Sequence, residues 1–425
     1  MSRILRQLLE EIPLPNMIRV RQRFDDEKLS DPLKDLRDSL RSTGSLDLIR
    51  PGQRVAVVVG SRGVSRIAEI AKTVVDELKG IGALPVLVPG MGSHGGATGE
   101  GQRAVLAHLG IDEAHIGAPV RSSMDVVLLG HLDNGLPVYA DKIAATEADA
   151  IVAINRVKPH TAFRGPIESG LLKMVAVGLG KQKGAEACHQ LGFQYMAENV
   201  PAMAKMVMKT LPVAFGVATV ENAYDQICHV EAVPARMMEA RETELLVQAK
   251  ARLPRLLFDP IDVLVIDQIG KNISGDGMDP NITGRYPTPY AHGGPAVNKM
   301  VVLDVTAESH GNVNGVGTAD FTTRRLVDKA DWPPTYANGL TSTVCSPMKM
   351  PTVLDNDWSA IKAAVKTCNV LNYDACRMVW IRDTLHLGGV LISEALLEEA
   401  EAHPDVEILS AAAPIGFDEQ GSVIR

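Results

Sequence analysis

Short apolar runs rich in β-branched residues recur between longer amphipathic stretches: RVAVVV at 54–59, PVLVP at 85–89, DVVLL at 125–129, AIVAIN at 150–155 and VAFGVATV at 213–220. That alternation is the pattern of β/α units around a largely parallel sheet. The segments 64–78, 98–109, 169–178 and 195–210 carry apolar residues at the spacing of helices packed on such a sheet. A long polar helix is expected over 234–251, ending near Pro254. A second β/α set follows it, opening on IDVLVID at 261–267 and continuing through VVLDV, DWSAIKAAVKTC and RMVWIRD to a helix at 392–401. The fold class expected is therefore α/β, with two β/α domains, 1–255 and 256–425. At 425 residues and 46% hydrophobic content the chain can give each domain its own core.

A net charge of -8 gives no reason to expect nucleic acid or an anionic membrane as partner. No apolar run approaches the roughly 20 residues a spanning helix needs, and MSRILRQLLEEIPLP has acids where a signal peptide has its apolar stretch. A cytoplasmic enzyme, either a monomer or a homo-oligomer, is the expectation. The cysteines, Cys188, Cys228, Cys345, Cys368 and Cys376, are five and lack CxxC spacing, so neither a disulfide framework nor a zinc site is expected. Cys188 stands out only because it precedes His189.

In open α/β sheets ligands bind beyond the carboxyl ends of the strands. The turn after the first strand holds Arg62, either a surface arginine or a ligand contact. The next holds GMGSHGGAT, with Gly92, Ser93 and His94 among glycines that let backbone amides approach an anion. Gly90, Gly92 and Gly95 match G-x-G-x-x-G, but after the second strand and with no ribose-binding acid following, so a conventional NAD site is disfavoured. The loop beyond residue 155 gathers Arg156, Lys158, His160 and Arg164, either a solvated basic loop or a site for a small anion. Lys173, within SGLLKMVAVGLG, is surrounded by apolar residues. It either reaches solvent along its stem or is a desolvated, nucleophilic amine. His189 is a possible nickel, zinc or copper ligand, or structural. The stretch 270–295, rich in Gly, Pro, Asn and Asp, reads as a functional loop. The other histidines occupy no comparable positions.

The order and spacing of Arg62, His94, His160, Lys173 and His189 resemble the nickel-dependent lactate racemase family, and Gln268 and Lys271 in DQIGK resemble its Gln-x-x-Lys pair. The chain departs from that family at GSHGGAT, which lacks the Arg-Pro that often follows the histidine, and at AFRGPIESGLL, a longer approach to the lysine. The resemblance implies a catalytic, cofactor-binding N-terminal domain and an active site in an interdomain cleft. It implies a nickel-pincer nucleotide, the pyridinium-3-thioamide-5-thiocarboxylic acid mononucleotide with Ni(II), supplied by cofactor biosynthesis enzymes that meet the chain transiently. Lys173 would tether it, with Arg62, Gly92, Ser93 and Lys271 as further contacts, and His189 would ligate nickel. His94 and His160 would be opposed bases for the 2-hydroxyl of a small anionic 2-hydroxy acid. Arg62, Gln268 and Lys271 would hold its carboxylate. Arg164 would read a second anionic group, which favours malate over lactate or an aldonic acid. The reaction implied is racemisation or epimerisation by hydride transfer through a 2-keto acid. An NAD-dependent dehydrogenase and a non-catalytic homologue are the competing readings.

Overall fold

The computed structural model describes residues 3–61 and 63–424. They form two compact units, one of Asp25–Leu253 and the other of the chain from Pro254 onward together with the segment up to Phe24.

In the Asp25–Leu253 unit the sheet order is Leu84–Pro89, Arg54–Val59, Ala150–Arg156, Val213–Glu221 and Ile227–Pro234. The first four strands are parallel, and the last returns antiparallel on its predecessor. Val55 to Val59 are wholly buried, as expected of a strand covered on both faces. Helix Ile67–Gly80 presents Ile67, Ile70, Ala71, Val74 and Leu78 to the core that holds Val55, Val57 and Val59. Chain order reverses around Arg54–Val59. The next strand lies to one side of it and Ala150–Arg156 to the other, so the loops after these strands flank a topological switch point.

Two sequence expectations need correction in this unit. The 125–129 run joins no parallel sheet: Val126–His131 forms an antiparallel hairpin with Pro137–Asp141, closed through Asn134-Gly135 with Gly135 at φ 86. Asn-Gly is the hairpin signal that should have set it apart. The 169–178 segment is no regular helix but one α-turn, Leu171–Lys173, followed by a π-turn, Met174–Gly178. Past the glycines that follow it, Lys181–His189 is a helix.

The other unit holds a mixed sheet in the order Thr352–Leu354, Phe321–Thr323, Val297–Val305, Ile261–Ile269, Met378–Ile381, Gly389–Ser393, Met17–Gln22 and Val406–Ile408. It is parallel as far as Met378–Ile381 and antiparallel beyond. Two expectations change here. The start of the 392–401 helix is the end of strand Gly389–Ser393, and the helix itself is Leu397–Ala402. The opening residues, expected in the N-terminal domain, supply a strand between Gly389–Ser393 and Val406–Ile408. Among the described residues no helix is long and apolar enough to cross a membrane.

Candidate active site

The glycines after Leu84–Pro89 are explained by packing. A Cβ at Gly90 would lie 2.3 Å from Val58 Cγ1 and 2.6 Å from Met174 Sδ, and one at Gly178 would lie 2.6 Å from the Gly90 carbonyl oxygen. Gly92 N–H donates to Gly178 O at 3.3 Å. The turn thus seats directly on the π-turn that follows Lys173, and π-turns of this kind frequently mark functional sites. The G-x-G-x-x-G spacing is accounted for without a dinucleotide. Beyond it His94 is exposed, with Nδ1 2.6 Å from Ser61 Oγ on the neighbouring strand-end turn. Ser93 O accepts the Ala97 amide. The helix expected over 98–109 is Gly99–His108, capped by Thr98. Arg62 lies outside the described residues.

Strand Ala150–Arg156 leads into the second loop, organised by a residue the sequence reading passed over. Glu168 is 1% exposed. Its Oε2 accepts from His160 N at 2.7 Å and Arg164 Nη1 at 3.4 Å, and its Oε1 accepts from Lys250 Nζ at 2.6 Å and Gly165 N at 3.3 Å. A carboxylate so enclosed needs such donors to satisfy its oxygens. Two members of the expected cationic cluster are therefore spoken for. Arg156 is paired with buried Glu221 at 2.5 Å and with Asp225 at 3.5 Å. Arg164, expected to read a second anionic group, donates from Nη1 to His160 O at 2.7 Å and Phe163 O at 3.2 Å besides Glu168.

His160 Nδ1 accepts the Ala162 amide at 3.0 Å, so the neutral ring carries its hydrogen on Nε2. Burial, then the charges of Lys173 and His189, hold its pKa well below 6.5. Phe193 lies between the two histidine rings, its centroid 6.0 Å from that of His160 and 5.3 Å from that of His189. Burial also lowers His189, the Ala185 carbonyl partly offsets this, and the charge of Lys173 adds to the lowering. Lys173, His160 and His189 therefore share one electrostatic neighbourhood. His189 Nδ1 donates to Ala185 O at 2.6 Å, which leaves the lone pair on Nε2, the tautomer a metal ligand needs. Cys188, beside it, is a buried thiol pushed up to about 12 by desolvation, and no reactive group.

Lys173 is half-buried at the end of its α-turn. Beneath that turn lies a second overlooked acid, Glu242, 1% exposed, whose Oε2 accepts the Leu172 amide at 2.9 Å. Burial pushes its carboxyl up to about 7. Asn155 Nδ2 donates to Gly170 O at 2.7 Å and fixes the turn's start. Neither Glu168 nor Glu242 stands out by spacing; the only signal was an acid set among apolar neighbours, IES and ETELL.

Gln268 and Lys271 belong to the other unit, at the carboxyl end of Ile261–Ile269. Lys271 Nζ donates to Gly275 O and its amide to Ser309 Oγ at 2.8 Å. Among the described residues no three His, Cys, Asp or Glu side chains are grouped to hold a metal. A metal at His189 would have to take its other donors from a bound group rather than from a cluster of protein side chains.

The fold and this cluster define an α/β protein with a lysine and two histidines gathered beside a switch point of a parallel sheet. Residues 9–199 match the family model described as the lactate racemase N-terminal domain. Among solved structures, a structural-genomics protein from Thermotoga maritima is similar at 16% identity and TM-score 0.47, covering 64% of this chain and 71% of its own. The lactate racemase apoprotein from Thermoanaerobacterium thermosaccharolyticum is similar at 12% identity and TM-score 0.45, covering 92% and 96%. No curated protein matches the sequence significantly.

Proposed function

We propose that the chain is an isomerase, a racemase or epimerase of a small anionic 2-hydroxy acid that works with a nickel-pincer nucleotide. The observation that carries this reading is a histidine, His189, within electrostatic reach of Lys173, whose Nδ1–H···O=C bond sets the tautomer with the lone pair on Nε2. The lactate racemase domain over 9–199 supports it. Lys173 would carry the group through its side-chain nitrogen, and His189 would ligate the nickel. When bound, the group supplies an acceptor and donor of hydride at the substrate C2.

The protein's own residues handle the proton. Ser61 orients His94 through Nδ1, so Nε2 meets the 2-hydroxyl and takes its hydrogen. His160 is neutral near pH 7 and presents Nε2–H as a hydrogen-bond donor to the 2-oxygen of the transient keto acid. For His160 to accept a proton in turn, its bond to the Ala162 amide must open. The two histidines are thus unequal partners, exposed and buried. Phe163 and Phe193 provide an apolar wall that limits water around His160.

Intact mass of chain made with the cofactor-producing enzymes, together with chiral analysis of malate and lactate, tests the reading. A nickel- and sulfur-containing adduct on Lys173 and loss of optical purity are expected. An unmodified chain that releases NAD on denaturation would sink it.

Malate is the first substrate to try, but Arg164 is braced inside its own loop. Arg164→Ala is therefore expected to lower malate and lactate turnover alike, leaving the ratio of their kcat/KM values within about threefold of the parent. A loss confined to malate would restore Arg164 as the reader of a second carboxylate.

A further inference from the structure

Lys181 is 0% exposed, and its backbone sits at φ 55, a left-handed conformation that a lysine adopts only when its surroundings hold it there. Its ammonium donates to Pro89 O at 2.5 Å and to Gln102 Oε1 at 3.1 Å, and lies 3.2 Å from Asp141 Oδ2. Gln102, also 0% exposed, donates from Nε2 to Gly92 O at 2.8 Å and to His94 O at 3.3 Å. Asp141, 0% exposed, caps the Ala144 amide through Oδ1, and its own amide donates to Leu179 O at 2.7 Å.

One buried cation thus touches three elements around the site. Pro89 ends the strand that enters the His94 turn, Gln102 lies on the helix that leaves it, and Lys181 begins the helix that ends in His189. Such a pair is weak evidence for stability, because taking both charges out of water offsets their attraction. Desolvation indeed lowers Lys181 and raises Asp141. What a directional buried network does provide is a fixed geometry.

We infer that Lys181 and Gln102 are positioning residues, which hold the His94 turn in register with the helix carrying His189. This inference rests on the proposed function above for its catalytic meaning. A loosened turn leaves His94 able to reach the 2-hydroxyl but misplaces it, and displacements of about 1 Å cost up to about a hundredfold in rate.

The test compares the full-length holoprotein with Gln102→Leu, which spares the Lys181–Asp141 pair, and with Lys181→Met. Intact mass, steady-state kinetics and amide hydrogen exchange at Gly92, His94 and Ala97 are measured. In Gln102→Leu we expect the Lys173 adduct to be retained, KM to stay within about threefold, kcat to fall by about tenfold to a hundredfold, and those amides to exchange at least about tenfold faster. Lys181→Met should repeat this more strongly. Unchanged exchange and kcat in Gln102→Leu overturn the inference, even if its unfolding midpoint drops. A parent protein with neither adduct nor turnover refutes the proposed function instead, and the exchange measurement then still decides whether Gln102 and Lys181 fix the turn.

Discussion

Lys173→Arg is expected to yield a folded protein that carries no nickel- and sulfur-containing adduct and racemises nothing above background. Arginine keeps the positive charge that helps to hold His160 and His189 neutral, so the electrostatics of the cluster survive. It removes the primary amine, and a guanidinium is not a nucleophile at any working pH. The flexible stem ends a half-buried turn whose neighbours, Leu171, Leu172 and Met174, are buried and untouched by the change. Intact mass and nickel content are the direct measurements. An adduct that persists would mean that the group is attached elsewhere, and the assignment of Lys173 would fall. A His189→Ala protein separates the two roles, since it should retain the organic adduct while losing nickel.

The second large effect concerns Glu242. Burial raises its carboxyl from 4.5 to about 7, so the folded state binds a proton between those values that the unfolded chain has released. The stability this provides is complete below 4.5 and is lost as pH rises through about 7. The difference corresponds to about 3 kcal/mol. Glu242→Gln keeps an oxygen for the Leu172 amide and cannot ionise. It should match the parent near pH 4 and exceed it by about 3 kcal/mol at pH 9. Chemical denaturation across that range gives the answer, and an offset that does not vary with pH would contradict it.

The parallel core was legible because Val55–Val59 and Val263–Ile266 read as unbroken apolar runs, which few structures other than covered strands accommodate. His94, His160, Lys173 and His189 were singled out by their spacing, and the structure puts His160, Lys173 and His189 within electrostatic reach of one another. The π-turn after Lys173 was not, because it is produced by the fit of Gly90 against Gly178, two positions far apart in sequence. Nor were Glu168, Glu242 and Lys181, since a buried charge is recognised by the partners that tertiary structure brings to it. The same reasoning recast Arg156 and Arg164. A cluster of cations in sequence says little about a ligand until the acids that meet them, here Glu221 and Glu168, are known.

The strand Met17–Gln22 lies between two strands from the last forty residues of the chain, with Met17 opposite Ser393 and Val20 opposite Ile408. Topologically the Asp25–Leu253 unit is an insertion into the other one. During synthesis the inserted unit has all of its sheet available once residue 253 emerges. The opening strand must wait, unpaired, until the final two strands arrive, with the loop-closure entropy of so distant a contact to overcome. A chain interrupted before residue 389 would display the edge of Met378–Ile381 and a strand whose apolar residues, Met17, Ile18 and Val20, have no place to go, the combination that makes nascent chains clients of chaperones.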